Sequence, residues 1–175
     1  MKKFFAIVMA LCMLLMTAAL AEGATELNWA DIEPVLEAGE VAGEFKTFDE
    51  IAVKIWIPEG INAVELSDED KANGYVGYFQ AEDQSGTLAV MYVDTNGMSI
   101  DDYADYLAGE SDVTEVEKAT VNGLPCVTYE MPGQDTASIA FATEAGYVLE
   151  VTCNPISDEN AQLVWGCVFA SIQAA

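Results

Sequence analysis

The sequence predicts an α+β domain, an antiparallel sheet of about seven or eight strands flanked by helices as an α/β/α sandwich. Three observations predict it. Apolar residues alternate with period two over most of the chain, in short runs broken by turn dipeptides. Segments of helical period stand near the start, the middle and the end. The spacings between strands are too short for crossover helices, so neighbours pair antiparallel.

The elements follow in order. In "NWADIEPVLEAG", Trp29, Ile32 and Leu36 share a helical face and Gly39 can end it. Proline is tolerated in a first turn, so Pro34 places the start of the regular helix near Glu33. "IAVKIWIP" sets Ile51, Val53, Ile55 and Ile57 against Ala52, Lys54 and Trp56, with "GEFKTF" as its hairpin partner. "YVGYFQA" and "TLAVMYVD" form a second pair, joined by "EDQSG" and closed by "DTNG". Ser99 caps a helix at "MSIDDYADYLAG", where Asp101 and Asp102 suit the positive end and Gly109 can terminate. The second half reads as a meander, "VTEVEKATV", "LPCVTYEM", "TASIAFAT" and "YVLEVTC", with turns at "NG", "PGQD" and "EAG". A last helix starts near Ser157 and presents Ala161, Val164, Trp165, Val168 and Ile172 to the sheet.

Residues 1–21 read as a secretory leader: two lysines, an apolar run of roughly fifteen residues, and Ala19-Leu20-Ala21 before the expected cleavage. The expected organisation is therefore a leader at 1–21, an N-terminal helical segment at 22–40 and a single α+β domain at 41–175. Cleavage would place the protein outside the cytoplasm. It would also remove Lys2 and Lys3, leaving four lysines against thirty acidic residues, a formal charge of −26. Such a surface repels itself, which favours a soluble monomer. With no arginine, no histidine and a strongly negative field, nucleic acid and anionic membrane surfaces are excluded as expected partners.

The segments "FDEIAVKIWIPEGI", "SIDDYADYL", "VNGLPCVTYEM", "ASIAFATEAGYVLEVTC" and "SDENAQLVWGCVFASI" together resemble the PsbP/Mog1-like family over residues 41–173. The resemblance implies a sheet between helices and members that serve as accessory or binding proteins rather than enzymes. It carries no functional motif onto particular residues of this chain.

Without histidine there is no Ser-His-Asp triad, Cys-His dyad or histidine-bearing zinc site. Without arginine there is no bidentate guanidinium. What remains is carboxylate chemistry, thiol chemistry or none. "SDEDKANG" offers Asp68 and Asp70 as calcium candidates. It fails the EF-hand pattern at Ala72, Asn73 and Phe79, however, so a solvated connection competes with a weak site. Tyr75, Tyr78, Phe79 and Tyr92 could line a carbohydrate or peptide surface, or fill the layers of a covered sheet.

Three cysteines survive cleavage. A helix running back from Asp158 lifts Cys167 about 13 Å from the end of the strand carrying Cys153, and disulfides need Cα atoms within about 7 Å. The meander sets Cys126 near the level of Leu149, two strands from Cys153. Cys167 lies near the level of Cys126 but on the flank of its helix, which disfavours that pair too. Free apolar thiols are the expected state, and the acidic field would raise their pKa.

These readings predict a noncatalytic binding or accessory module that contacts a protein or cell-envelope component, with no cofactor. The alternatives are a calcium-dependent extracytoplasmic protein with acidic loops near Asp68 or Asp101, and a small carboxylate-based hydrolase.

Overall fold

The computed structural model describes residues 25–143 and 146–175. The leader assigned to residues 1–21 lies outside them. No helix among the described residues is long and apolar enough to cross a membrane.

Eleven strands and four α-helices are present among the described residues. The strands are β1 (Thr25–Leu27), β2 (Gly43–Phe48), β3 (Val53–Pro58), β4 (Ile61–Ala63), β5 (Tyr75–Ala81), β6 (Thr87–Asp94), β7 (Thr114–Val121), β8 (Leu124–Met131), β9 (Thr136–Ala142), β10 (Tyr147–Asn154) and β11 (Gln173–Ala174). The helices are α1 (Trp29–Ala38), α2 (Asp68–Ala72), α3 (Ile100–Gly109) and α4 (Glu159–Ala170). Eight strands form one sheet in the order β1-β7-β8-β9-β10-β6-β5-β4, and β11-β3-β2 form a second.

Period-two alternation divides the large sheet between two cores. On β10, Leu149, Val151 and Cys153 face the larger core, which they share with the small sheet, α1 and α4. Val148, one residue out of phase, joins Val127, Tyr129 and Ala140 beneath Tyr103, Ala104 and Leu107 of α3. The layers are thus helix, sheet, and a second layer in which a small sheet stands among two helices.

The meander forms as expected: β7, β8, β9 and β10 pair antiparallel in sequence order. Local chemistry sets the helix starts. Ser99 Oγ accepts from the Asp102 amide at 3.1 Å, and Asp158 Oδ1 accepts from the Ala161 amide at 2.9 Å. Asp158 is therefore the cap, and α4 begins one residue beyond it, rather than near Ser157.

Five expectations need correction. The "GEFKTF" and "VKIWIP" hairpin exists, but it pairs with β11 as a separate sheet instead of extending the large one. Ile51 and Ala52 fall outside β3, because a 3-10 turn at Asp49–Ile51 ends in left-handed Ala52 (φ 50°). Within β3, Trp56 is buried as well as Val53, Ile55 and Ile57, so both faces are covered. The segment before residue 40 is more than helical, since Thr25–Leu27 pairs parallel with Ala119–Val121 as an edge strand of the large sheet.

The fifth correction concerns Pro34, which lies inside α1 rather than in its first turn. An internal proline costs about 3 kcal/mol. Starting at Glu33 would instead remove Trp29 and Ile32 from the helix, and each is buried, worth about 1.5–3 kcal/mol. Ala30, whose carbonyl loses the Pro34 donor, is exposed and can bond water.

Candidate functional site

One end of the large sheet carries a groove of about 610 Å³ lined by Tyr75, Tyr92, Tyr147, Asp94, Lys71 and Asn73. Its position follows from register. Tyr147 is opposite Asp94 and Leu149 opposite Tyr92, so the two tyrosines stand diagonally across β6 and β10. Their rings stack with centroids 4.9 Å apart and planes 17° from parallel.

The pair is held from behind. Tyr92 Oη donates to Thr143 Oγ1 at 3.3 Å, and Thr143 Oγ1 donates to the Tyr147 carbonyl at 2.9 Å. On the other side, the Tyr92 amide donates to the Gly74 carbonyl at 2.7 Å. Gly74 has φ +91°, and a Cβ there would sit 2.4 Å from the Tyr92 carbonyl oxygen. Only glycine fits this approach. At the rim, Asp94 Oδ1 accepts from the Asn96 amide at 2.9 Å and fixes the turn after β6.

The aromatic residues singled out by sequence separate into different roles. Tyr75 and Tyr92 reach the groove. Phe79 is buried, edge-on to Phe48 at 6.0 Å, and Tyr78 is half-buried opposite Ala89. Tyr147, 37% exposed, was missed, because its place beside Tyr92 depends on the β6·β10 register.

Asp68 and Asp70 lie in the first turn of α2, a short helix where a solvated connection was expected. Asp70 Oδ2 accepts from the Ser67 amide at 2.9 Å and from Ser67 Oγ at 2.6 Å, while Ser67 Oγ accepts from the Asp70 amide. This capping box uses Asp70 to hold the helix start, and the Ser67 bonds hold its pKa below the ordinary value. Asp101 pairs with Lys118 at 2.7 Å. Among the described residues, no group of three or more His, Cys, Asp or Glu side chains gathers as metal ligands.

A different acid occupies the interior. Glu150 is only 9% exposed, beneath α3. Tyr103 Oη donates to its Oε2 at 3.1 Å, Thr152 Oγ1 donates to its Oε1 at 3.3 Å, and Ser138 and Thr152 hydroxyls bond at 2.8 Å. Burial, reinforced by the Glu150 charge, pushes the Tyr103 and Tyr129 hydroxyls well above the usual phenol range. The partners are hydroxyls in their neutral form, which satisfy the carboxylate and tie α3 to the sheet.

Cys126, Cys153 and Cys167 are free and buried. Val127 pairs with Ala140 and Ala140 with Glu150, so Cys126 is level with Leu149, four residues from Cys153 and with β9 between. Cys167 is 2% exposed, inside the core rather than on a helix flank. Burial pushes the Cys126 and Cys167 thiols up to about 12, and Cys153 well above its ordinary value. Loss of water around the thiol, more than the acidic field, is the cause.

No known protein family matches the sequence, and no curated protein does. Among solved structures, the chain is similar to the cyanobacterial PsbP (CyanoP) from Synechocystis sp. PCC 6803, at 11% identity over 77% of this chain and 94% of that one, with a TM-score of 0.55. It is also similar to the Saccharomyces cerevisiae Ran-binding protein Mog1p, at 10% identity over 77% of this chain and 96% of that one, with a TM-score of 0.48. The likeness to CyanoP, too distant in sequence to carry more than architecture, shows that the chain has a PsbP/Mog1-like fold.

Proposed function

We propose that the chain is an extracytoplasmic, noncatalytic binding or accessory module that engages a protein or cell-envelope component through the tyrosine groove. The observation that carries this reading is the Tyr92–Tyr147 stack lining an open groove with Tyr75. Tyrosine offers a large rigid apolar body and a polar tip, and is enriched where surfaces associate. Here Thr143 holds the Tyr92 ring, Tyr147 stacks on it, and the Gly74 and Thr143 bonds fix both backbones, which lowers the ordering cost of binding. The leader-like N-terminus supports the location, and the lack of histidine and arginine supports a binding role over a catalytic one.

Tyr92→Ser with Tyr147→Ser tests the reading against Tyr106→Ser, a control at a tyrosine 52% exposed on α3. Each protein is immobilised and exposed to the envelope fraction of the source organism. The expected result is a partner retained by wild type and by Tyr106→Ser but lost from the groove variant. Equal retention by all three contradicts the reading.

A further inference from the structure

Three aromatic side chains from three elements line a second cavity, about 280 Å³, beside α1: Trp29, Phe45 of β2 and Trp56 of β3. Trp29 stands edge-on to Phe45, centroids 5.3 Å apart at 78°, and tilts 41° from Trp56 at 5.7 Å. The rings therefore form walls at angles to one another instead of a stacked column. Gly43 makes room for one wall, because a Cβ there would lie 2.4 Å from the Trp56 ring.

Glu33 and Glu37 line the same cavity from α1. Four residues apart on a helix, they share a face and repel. Glu37 also lies in the last turn, at the negative end of the helix dipole, where no basic residue stands. Neither carboxylate has a hydrogen bond or ion pair with a described residue. One ring of the set already accepts a cation, since Lys54 Nζ lies 5.2 Å from the centre of Phe45. Aromatic walls attract positive charge through the ring quadrupole, and two unneutralised carboxylates at the mouth add to that field. The volume falls below the roughly 300–1,000 Å³ of pockets for drug-sized ligands, which suits a head group or a single side chain.

We propose that this cavity binds an organic cation, an alkylammonium or quaternary ammonium head seated on the exposed Phe45 ring and the outer edges of the largely buried Trp29 and Trp56, with its charge facing Glu33 and Glu37. The site is distinct from the tyrosine groove, and neither depends on the other.

Tryptophan fluorescence tests it, because Trp29 and Trp56 line the cavity while buried Trp165 donates to the Pro155 carbonyl elsewhere. The probes are choline, N-acetyl-lysine amide and the neutral isostere 3,3-dimethylbutanol, titrated at constant ionic strength. At least one cation should give a saturable change at roughly tenfold lower concentration than the neutral isostere. Glu33→Gln with Glu37→Gln should weaken that binding roughly tenfold without lowering the unfolding midpoint, since both positions are exposed. Tighter choline assigns a quaternary ammonium ligand, and tighter lysine amide assigns a protein side chain. Equal binding of the neutral isostere, unchanged binding in the double variant, or no saturable response to either cation overturns the proposal.

Discussion

Asn122 Oδ1 accepts the backbone N–H of Trp29 at 2.8 Å, across 93 residues of sequence. The same side chain donates through Nδ2 to the carbonyls of Ala170 and Ile172, each at 2.8 Å, and its own amide donates to Leu27 at 2.8 Å. One turn residue thus ties the start of α1 to the end of α4, from a left-handed conformation (φ 49°) that asparagine tolerates.

Asn122→Ala should cost about 2–4 kcal/mol, because each lost bond is worth roughly 0.5–1.5 kcal/mol and alanine resists this backbone. Thermal denaturation should register a fall of roughly 5–15 °C. Asn122→Gly keeps the backbone but not the bonds, and should recover part of that loss. A shift of under 2 °C for alanine would show that the contacts do not hold the termini.

Gly74→Ala should destabilise by about 1–3 kcal/mol, through both its left-handed backbone and the clash with the Tyr92 carbonyl. Urea unfolding measures the loss. Partner retention should fall with it, whereas Gly133→Ala, which meets nothing within 4 Å, should leave both unchanged.

The buried thiols and tyrosines make stability fall in alkali. Their folded pKa values are raised, so the protonated forms stabilise the fold below the unfolded pKa values. As pH rises above about 9 the unfolded thiols ionise first, and above about 10 the tyrosines follow, while the folded groups stay protonated. Each group titrating only in the unfolded state costs about 1.4 kcal/mol per pH unit. Urea midpoints should drop steeply from pH 9 to 11. In the same samples at pH 8, iodoacetamide should leave the folded cleaved chain unmodified and label three thiols after unfolding. A single label would mean a bridge, and a flat midpoint would contradict the burial.

Millimolar calcium should barely move the melting temperature, since the Asp70 carboxylate is engaged with Ser67 in the capping box. A rise of several degrees beyond a magnesium control would favour the rival proposal, a calcium site at Asp68 and Asp70.

Local signals carried much of the fold. Strands β5, β6 and β8 have the bounds read from alternation and turn residues, and Ser99 caps α3 because its partner is three residues away. Features that depend on distant partners were not legible. The parallel β1·β7 pair, the small sheet built with β11, and the persistence of α1 through Pro34 all rest on contacts remote in sequence. The groove was half legible for the same reason: Tyr75 and Tyr92 were noticed as aromatics, but Tyr147 joins them only through register. Cys167 shows the reverse case, where the expectation of a free thiol had a different physical basis, burial in the core.

Photo-crosslinking from position 147 tests the central claim most directly, because it reports contact at the groove itself. A photoreactive phenylalanine replaces Tyr147 in one protein and Tyr106 in another, and both are illuminated in the envelope fraction of the source organism. A discrete adduct from position 147, absent from position 106 and abolished by Tyr92→Ser, is the predicted result. Adducts of the same mass and yield from both positions would contradict it.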